Sequence, residues 1–170
     1  MAITPDTKDW TWVLQEPCEE CGFDAAGIEA RRAGDEARAM VPRWTEALAR
    51  PDAGERPDDS TWSVLEYACH VRDVLLLFAE RLRLIREHDA PEFPNWDQDA
   101  TAAQTGYASQ DPRAVAAELG PAADAFAAEI AAVRDWSRPG LRSNGSAFTA
   151  DTLTRYGMHD LLHHLHDVRA

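Results

Sequence analysis

Four of the six histidines in the chain lie within eight residues of one another, close to its C-terminal end: His159, His163, His164 and His166. On a helix with 3.6 residues per turn, His159, His163 and His166 share one face, whereas His164 points roughly a right angle or more away. Two imidazoles spaced four residues apart can bind one metal ion from a single helix. The His159/His163 pair is therefore the first candidate for chemistry in this sequence.

A metal ion bound by two histidines of one helix needs a further ligand from elsewhere in the chain. His70 is the candidate, because it lies in the middle of another predicted helix. A lone histidine in a helix is more often a hydrogen-bonded core residue. Several neutral imidazoles in one interior each need a polar partner, however, and one metal ion would serve them together. The sequence thus predicts a metal site made of His70, His159 and His163.

Several polar side chains near these histidines could orient the ligands or simply form ion pairs. Asp73 lies one turn after His70 and could hold a ligand imidazole. An ordinary buried salt bridge of Asp73 with Arg72 or Arg155 is equally compatible with the sequence. The remaining histidines of the cluster are interpreted as solvated or as hydrogen-bonded to nearby carboxylates. The candidates for a supporting role are Asp73, Asp160, Arg155 and His166.

Four segments with helical periodicity must position these residues, and they span approximately residues 24–50, 60–87, 111–136 and 149–168. Pro42 and Pro121 predict a kink or break in the first and third segments. Four amphipathic segments with almost no strand pattern predict an all-α four-helix bundle with a short irregular N-terminal extension. The expected division is an extension over residues 1–23 and a bundle over residues 24–170.

The connection between the second and third helices, residues 88–110, is long for a helical bundle. It carries two aromatic residues, Trp96 and Tyr107, besides several prolines. Long loops inside compact domains are more often functional lids than simple connections. Trp96 and Tyr107 are therefore predicted to form walls of a pocket near the metal.

Cys18 and Cys21, followed by Gly22, have the spacing of half a zinc knuckle. A structural zinc ion needs four ligands, usually from two such pairs, and Cys69 is the one other cysteine in the chain. A redox role would need a strand-rich, thioredoxin-like context. The turn is interpreted as packed or loosely metal-binding, and zinc shared between two molecules is an open alternative.

Composition restricts the expected partners and location. The chain has 170 residues, and 17 Lys and Arg against 30 Asp and Glu give a formal net charge of −13. Such a surface repels nucleic-acid phosphates and anionic lipid headgroups, so neither nucleic acid nor membrane is an expected partner. An odd number of cysteines and the lack of a signal-peptide pattern at the first residues favour a cytoplasmic protein with reduced thiols.

The order of these motifs resembles the DinB-like bundle superfamily, which includes the mycothiol-dependent maleylpyruvate isomerases and the bacillithiol transferases. The matching pieces are Trp62-Ser63-Val64-Leu65-Glu66-Tyr67 with His70 and Asp73, and Arg155 with His159-Asp160-Leu161-Leu162-His163-His164 and Asp167. The resemblance implies a four-helix bundle that binds zinc or nickel through His70, His159 and His163. In the isomerase branch a glutamate is the first ligand of the last helix. His159 stands at that position here, which is more similar to the thiol-transferase branch.

Three neutral protein ligands leave a divalent metal with open coordination positions, which is typical of a catalytic site. An open position can bind water or deprotonate a thiol. We therefore expect a metal-dependent thiol transferase or isomerase, in which the metal activates a low-molecular-weight thiol of the mycothiol type to attack a small electrophile. Two alternatives stay open: a non-catalytic metal-binding or stress-related bundle protein, and an interaction module whose histidines are incidental. A homodimer is compatible with such a bundle.

Overall fold

The computed structural model describes residues 8–170, so the first seven residues of the predicted extension lie outside the described part of the chain. Within it, five α-helices and one small sheet follow one another: α1 (Ala33–Leu48), α2 (Val64–Glu87), β1 (Glu92–Phe93), α3 (Gln98–Thr105), α4 (Pro112–Ala132), β2 (Pro139–Arg142), β3 (Ala147–Thr149) and α5 (Ala150–Asp167). The long helices α1, α2, α4 and α5 pack on one another. The predicted four-helix architecture is confirmed.

Reciprocal cap hydrogen bonds fix the starts of the two helices that carry the histidines. The Ser63 hydroxyl accepts a hydrogen bond from the Glu66 N–H, and the Glu66 carboxylate accepts one from the Ser63 N–H. Thr149 and Thr152 form the equivalent pair before α5. Each pair satisfies backbone N–H groups that a helix start leaves unpaired. Ser63 therefore fixes the start of α2, a few residues after the predicted start of the second segment at about residue 60.

The first and third helices differ from the sequence prediction. Residues 24–32 form two 3₁₀ turns, Ala25–Gly27 and Ala30–Arg32, and α1 begins only afterwards. Pro42 and Pro121 lie inside α1 and α4 without ending either helix. Both prolines are exposed, so water can satisfy the carbonyl group that loses its N–H partner. The structure shows no break at either proline, and the alternative of a kink stays a prediction.

The small sheet was not predicted. β2 and β3 form an antiparallel hairpin across the turn that precedes α5, and β1 from the long 88–110 connection pairs with β2 in parallel. Strands of two to four residues are too short for alternation to be recognised in the sequence. At Gly140 a Cβ would lie 2.7 Å from the side chain of Ile85, so the hairpin packs directly against α2. The sheet thereby ties the long connection to the start of α5.

The core lies between the four long helices. Its largest fully buried side chains include Trp44 of α1, Leu82 of α2, Phe126 of α4 and Leu153 of α5. Among the described residues, no helix combines the length and apolar character that crossing a membrane requires. The described helices thus pack around a core that all four long helices share.

Helices α1 and α4 approach most closely at Gly34, where an added Cβ would lie 2.8 Å from the Cα and Cβ of Ala127. We expect Gly34→Ala to lower the free energy of unfolding by about 1–3 kcal/mol, because the two helix backbones must move apart. Gly27→Ala, in the 3₁₀ turn Ala25–Gly27, is the control, since nothing beyond its chain neighbours lies within 4 Å of its added Cβ and its φ is not positive. It should raise stability by about 0.4–1 kcal/mol through the unfolded state. Urea denaturation measures both, and an equal loss in both variants would contradict this explanation.

Candidate metal centres

Three potential metal ligands from α2 and α5 converge beside the core. The Nε2 of His70, a fully buried residue, lies 2.9 Å from Oδ1 of Asp160. The Nε2 of His164, one turn further along α5, lies 3.4 Å from the same oxygen. Two imidazoles and one carboxylate form a donor set known from catalytic zinc sites. We call His70, Asp160 and His164 the α2–α5 site.

Neighbouring side chains fix the two imidazoles of the α2–α5 site. The Nδ1 of His164 lies 2.8 Å from Oδ2 of Asp167. The ring of His70 stacks on Trp96, with centroids 5.2 Å apart and an interplanar angle of 15°, and packs against Trp62 on another side. A carboxylate on the far nitrogen of a ligand histidine fixes its tautomer and ring orientation. The Nε2 atoms of His70 and His164 are thus held facing the space between α2 and α5.

The charges within the α2–α5 site hold its carboxylate ionised. Burial raises the pKa of Asp160, but the neighbouring His70 and His164 outweigh this and keep that pKa well below its usual range. Burial lowers the pKa of His164, but hydrogen bonds to Asp160 and Asp167 outweigh it and raise the pKa to about 9. At neutral pH a protonated His164 therefore balances the carboxylates. A divalent cation placed between the same atoms would take over this role from the proton.

A second group of potential ligands lies on the other side of α5. His159 and His163 meet Cys18 and Cys21 of the N-terminal segment, and one ligand atom from each of the four lies within 4.8 Å of the others. The Sγ of Cys18 is 3.7 Å from Nδ1 of His163. We call these four residues the cysteine site.

The structure thus divides the three histidines that the sequence analysis had grouped. It brings His159 and His163 together but places His70 with the Asp160/His164 pair, which is also spaced four residues apart. Consecutive residues on a helix differ by about 100° in direction, so the two pairs face different neighbours. The sequence analysis considered the i, i+4 pair of two histidines, His159 and His163. The pair that faces α2 consists of a carboxylate and a histidine, Asp160 and His164. The i, i+4 spacing of Asp160 and His164 was the signal that could have found it.

Comparison with known proteins agrees with this architecture. A family model described as the DinB superfamily matches residues 33–168. The chain belongs to the DinB superfamily. This DinB-superfamily chain is also similar to the solved structure of YfiT from Bacillus subtilis, with a TM-score of 0.69 and 18% sequence identity, over 89% of this chain and 88% of the other. YfiT was described as a probable metal-dependent hydrolase with an unusual four-helix bundle topology. No curated protein matches the sequence.

Asp73 and Tyr107 of the DinB bundle bond to each other rather than to the histidines. The Tyr107 hydroxyl donates to Oδ2 of Asp73 at 2.5 Å, and Asp73 also pairs with Arg72 at 2.8 Å. The salt-bridge alternative for Asp73 is therefore the one observed. Tyr107 is fully buried and is not among the residues that line the described cavities near the histidines. Its ring anchors the long connection to α2 instead.

The other predicted supporting residues lie around α5. Arg155 pairs with Asp151 at 2.7 Å and donates to the Ala25 carbonyl oxygen, which fastens the N-terminal segment to α5. His166 is exposed at the end of the helix, in agreement with the solvated interpretation. Trp96 contacts the α2–α5 site directly through its stacking on His70. Among the predicted supporting residues, Asp160 is the one that lies within a group of potential metal ligands.

A cavity of about 310 Å³ opens beside both groups of ligands. Its described lining is acidic and contains neither Lys nor Arg; the residues are Trp10, Glu20, Ser60, Trp62, Tyr67, Gln98, Asp99, Tyr156, His159, Asp160, His163, His164 and Asp167. Small-molecule sites typically begin at about this size. The α2–α5 site of this DinB bundle is therefore reachable by a small ligand.

Proposed function

We propose that this chain is a metal-dependent enzyme of the DinB superfamily that adds a low-molecular-weight thiol to a small electrophile, or uses the thiol to isomerise it. The observation that supports this most is the convergence of His70 Nε2 and His164 Nε2 on one oxygen of Asp160 beside the cavity. Three protein ligands leave coordination positions open to an outside ligand. A zinc or nickel ion held there would lower the pKa of a bound thiol and so make it a nucleophile at neutral pH.

The walls of the cavity favour an uncharged thiol. The carboxylates of Glu20 and Asp99 line the cavity along with those of Asp160 and Asp167, and no Lys or Arg is among its described lining residues. Lys8, which lies outside this lining, pairs with Glu20 at 3.2 Å and offsets part of that negative charge. These walls repel thiols that carry several carboxylates, such as glutathione. The hydroxyl of Ser60 and the amide of Gln98 can hydrogen-bond to sugar hydroxyls. A neutral, sugar-linked thiol of the mycothiol type fits this lining. Such thiols are reduced in the cytoplasm, which is the location expected for this protein.

The chain's own side chains prepare the site for such a reaction. Asp167 holds Nδ1 of His164, so that Nε2 faces the α2–α5 site, where a bound metal ion would replace its proton. Trp62 and Trp96 cover the His70 ring, and the Tyr67 ring lies 4.8 Å from the His164 ring. These aromatic rings exclude water from the protein side of the ligands. The cavity side remains as the approach for both the thiol and its electrophile.

Cobalt-substituted protein tests the proposal. Adding a sugar-linked thiol should increase the thiolate-to-cobalt charge-transfer absorption, whereas glutathione should bind at least about tenfold more weakly because of charge repulsion. His164→Ala should abolish the increase. His166→Ala, an exposed histidine on the same helix, is the matched control and should leave it unchanged.

Two other results would replace this proposal. Bound metal with no spectral response to any thiol would favour the alternative of a non-catalytic metal-binding bundle protein. Thiol-independent cleavage of esters or amides, lost in Asp160→Ala, would favour hydrolysis. That activity is suggested by the description of YfiT, and an open metal position that accepts a thiol also accepts water.

A further inference from the structure

The N-terminal segment brings two thiols to the face of α5 that the proposed reaction does not use. Cys18, His159 and His163 are 1%, 4% and 7% exposed. Cysteines separated by two residues and histidines separated by three are the spacings of Cys₂His₂ zinc sites. The sequence offered no second cysteine pair for the turn at Cys18 and Cys21, and the histidine pair of α5 supplies the two missing donors.

The separations between the ligand atoms agree with one tetrahedral zinc ion. With Zn–S distances of about 2.3 Å and Zn–N distances of about 2.0–2.1 Å, a sulfur and a nitrogen on the same ion lie about 3.5 Å apart. The Sγ of Cys18 and the Nδ1 of His163 are 3.7 Å apart. All four ligand atoms lie within 4.8 Å of one another. Small side-chain adjustments would therefore suffice to close the coordination sphere.

The backbone of the cysteine turn presents both sulfurs to one side. The Cys18 N–H donates to the Phe23 carbonyl oxygen and the Gly22 N–H to the Cys18 carbonyl oxygen, each at 2.8 Å. Gly22 has a φ of +76°, in the left-handed region that glycine adopts without strain. Burial raises the pKa of the Cys21 thiol to about 11, more than the backbone hydrogen bond at Phe23 lowers it. A zinc ion in this position would reverse that effect, because a coordinating thiol is deprotonated outright.

The surroundings of His159 and His163 are also those expected of zinc ligands. Nε2 of His159 is buried and has no hydrogen-bond partner among the described residues, although buried polar atoms are almost always partnered. On His163, Nδ1 faces Cys18, while Nε2 lies 3.5 Å from Glu20 and 3.7 Å from Asp167. Carboxylates at the far nitrogen commonly orient a metal-bound imidazole. Both rings thus offer one nitrogen to the cysteines.

We propose that Cys18, Cys21, His159 and His163 bind one zinc ion in a closed structural site that fastens the N-terminal segment to α5. With four protein ligands, no position remains for substrate. The ring of Trp10 lies 5.4 Å from that of His159 and 5.2 Å from that of His163, and Trp10 lines the cavity beside the α2–α5 site. The zinc ion would therefore hold one cavity wall in place. This inference does not depend on the proposed thiol chemistry.

Metal content and cobalt spectra test the cysteine site. Wild-type protein should bind about two metal ions per chain, and the Cys18→Ser/Cys21→Ser variant about one. Cobalt-substituted wild type should show thiolate-to-cobalt charge transfer and tetrahedral d–d bands without any added thiol. The charge-transfer band should vanish in Cys18→Ser/Cys21→Ser and persist in His164→Ala. Cys69→Ser, which removes the buried thiol of α2, is the matched control and should keep both metals and both bands.

A measurement on wild-type protein covers the case in which the double variant does not fold. In zinc-loaded protein, Cys18 and Cys21 should resist a thiol reagent, and both should react once a strong chelator is added. The absence of thiolate bands in the cobalt-substituted wild type would overturn the proposal. Full reaction of the two thiols in zinc-loaded protein would overturn it as well, as would a Cys18–Cys21 disulfide in protein purified with zinc from reducing cells.

Discussion

His164→Ala should remove the metal from the α2–α5 site and lower thiol-dependent kcat/KM by more than about 100-fold. Loss of a side chain that only orients a metal ligand typically costs 10- to 100-fold, and His164 is itself placed as a ligand, with its Nε2 3.4 Å from Asp160. Asp167→Asn, which disturbs only the orientation of His164, should fall within about 10- to 100-fold. Metal analysis after dialysis and steady-state kinetics measure both effects. His166→Ala should match wild type.

A comparison of His164→Ala with His159→Ala distinguishes the α2–α5 site from the set predicted by spacing alone. If His70, Asp160 and His164 hold the reactive metal, His164→Ala abolishes the spectral response to added thiol and His159→Ala leaves the added thiol able to bind. If His70, His159 and His163 hold it, the results are reversed. The two variants remove the same side chain from the same helix, so a general loss of helix stability cannot produce opposite results.

The bundle was predictable because its four long helices bury broad apolar faces, and helical periodicity records this directly in the sequence. The exceptions have local causes. Residues 24–32 contain apolar residues at helical spacing, but they form two 3₁₀ turns, of which the first is capped by Asp24, whose side chain accepts from the Ala26 N–H. The helical spacing there therefore predicted the wrong structure. The strands are only two to four residues long and depend on pairing between distant segments, so they leave no periodic signal.

The ligands were predictable as a cluster but not as two sites. The high histidine content identified the C-terminal half of α5 as a candidate metal-binding segment. Which of the two groups a residue joins depends on which side of α5 packs against α2 and which side packs against the N-terminal segment. The contact between Cys18 and His163 joins residues 145 positions apart, so the local sequence around either residue does not predict it. Asp160 resembles a surface residue of a polar helix face until His70 of α2 is placed opposite it. Tertiary packing, rather than spacing, therefore decides which potential ligands lie close enough to share a metal ion.

Glu66→Ala is expected to lower the free energy of unfolding by about 3 kcal/mol, although the residue touches neither proposed metal. The buried Glu66 carboxylate accepts hydrogen bonds from the N–H and hydroxyl of Ser63 and from Arg56, at distances of 2.5–2.9 Å. Breaking a buried ion pair typically costs about 3–5 kcal/mol. The lower end of this range applies here because the Arg56 side chain is 29% exposed, so the ion pair is only partly buried. Urea denaturation at neutral pH measures the loss, and Glu80→Ala, whose partner Arg83 is exposed, should cost less than about 1 kcal/mol.

The pH dependence of stability separates the charge of Glu66 from its packing. Burial raises the pKa of Glu66, but hydrogen bonds from Arg56 and Ser63 outweigh this and hold the pKa below its usual value of 4.5. A carboxyl group with a lowered pKa in the folded state stabilises the protein above the unfolded pKa, and this contribution is lost as the pH falls through the folded pKa. The difference in stability between wild type and Glu66→Gln should therefore be constant above about pH 6 and shrink steadily below pH 4.5. A difference that stays the same at acid pH would mean that the shape of the side chain, rather than its charge, anchors the start of α2.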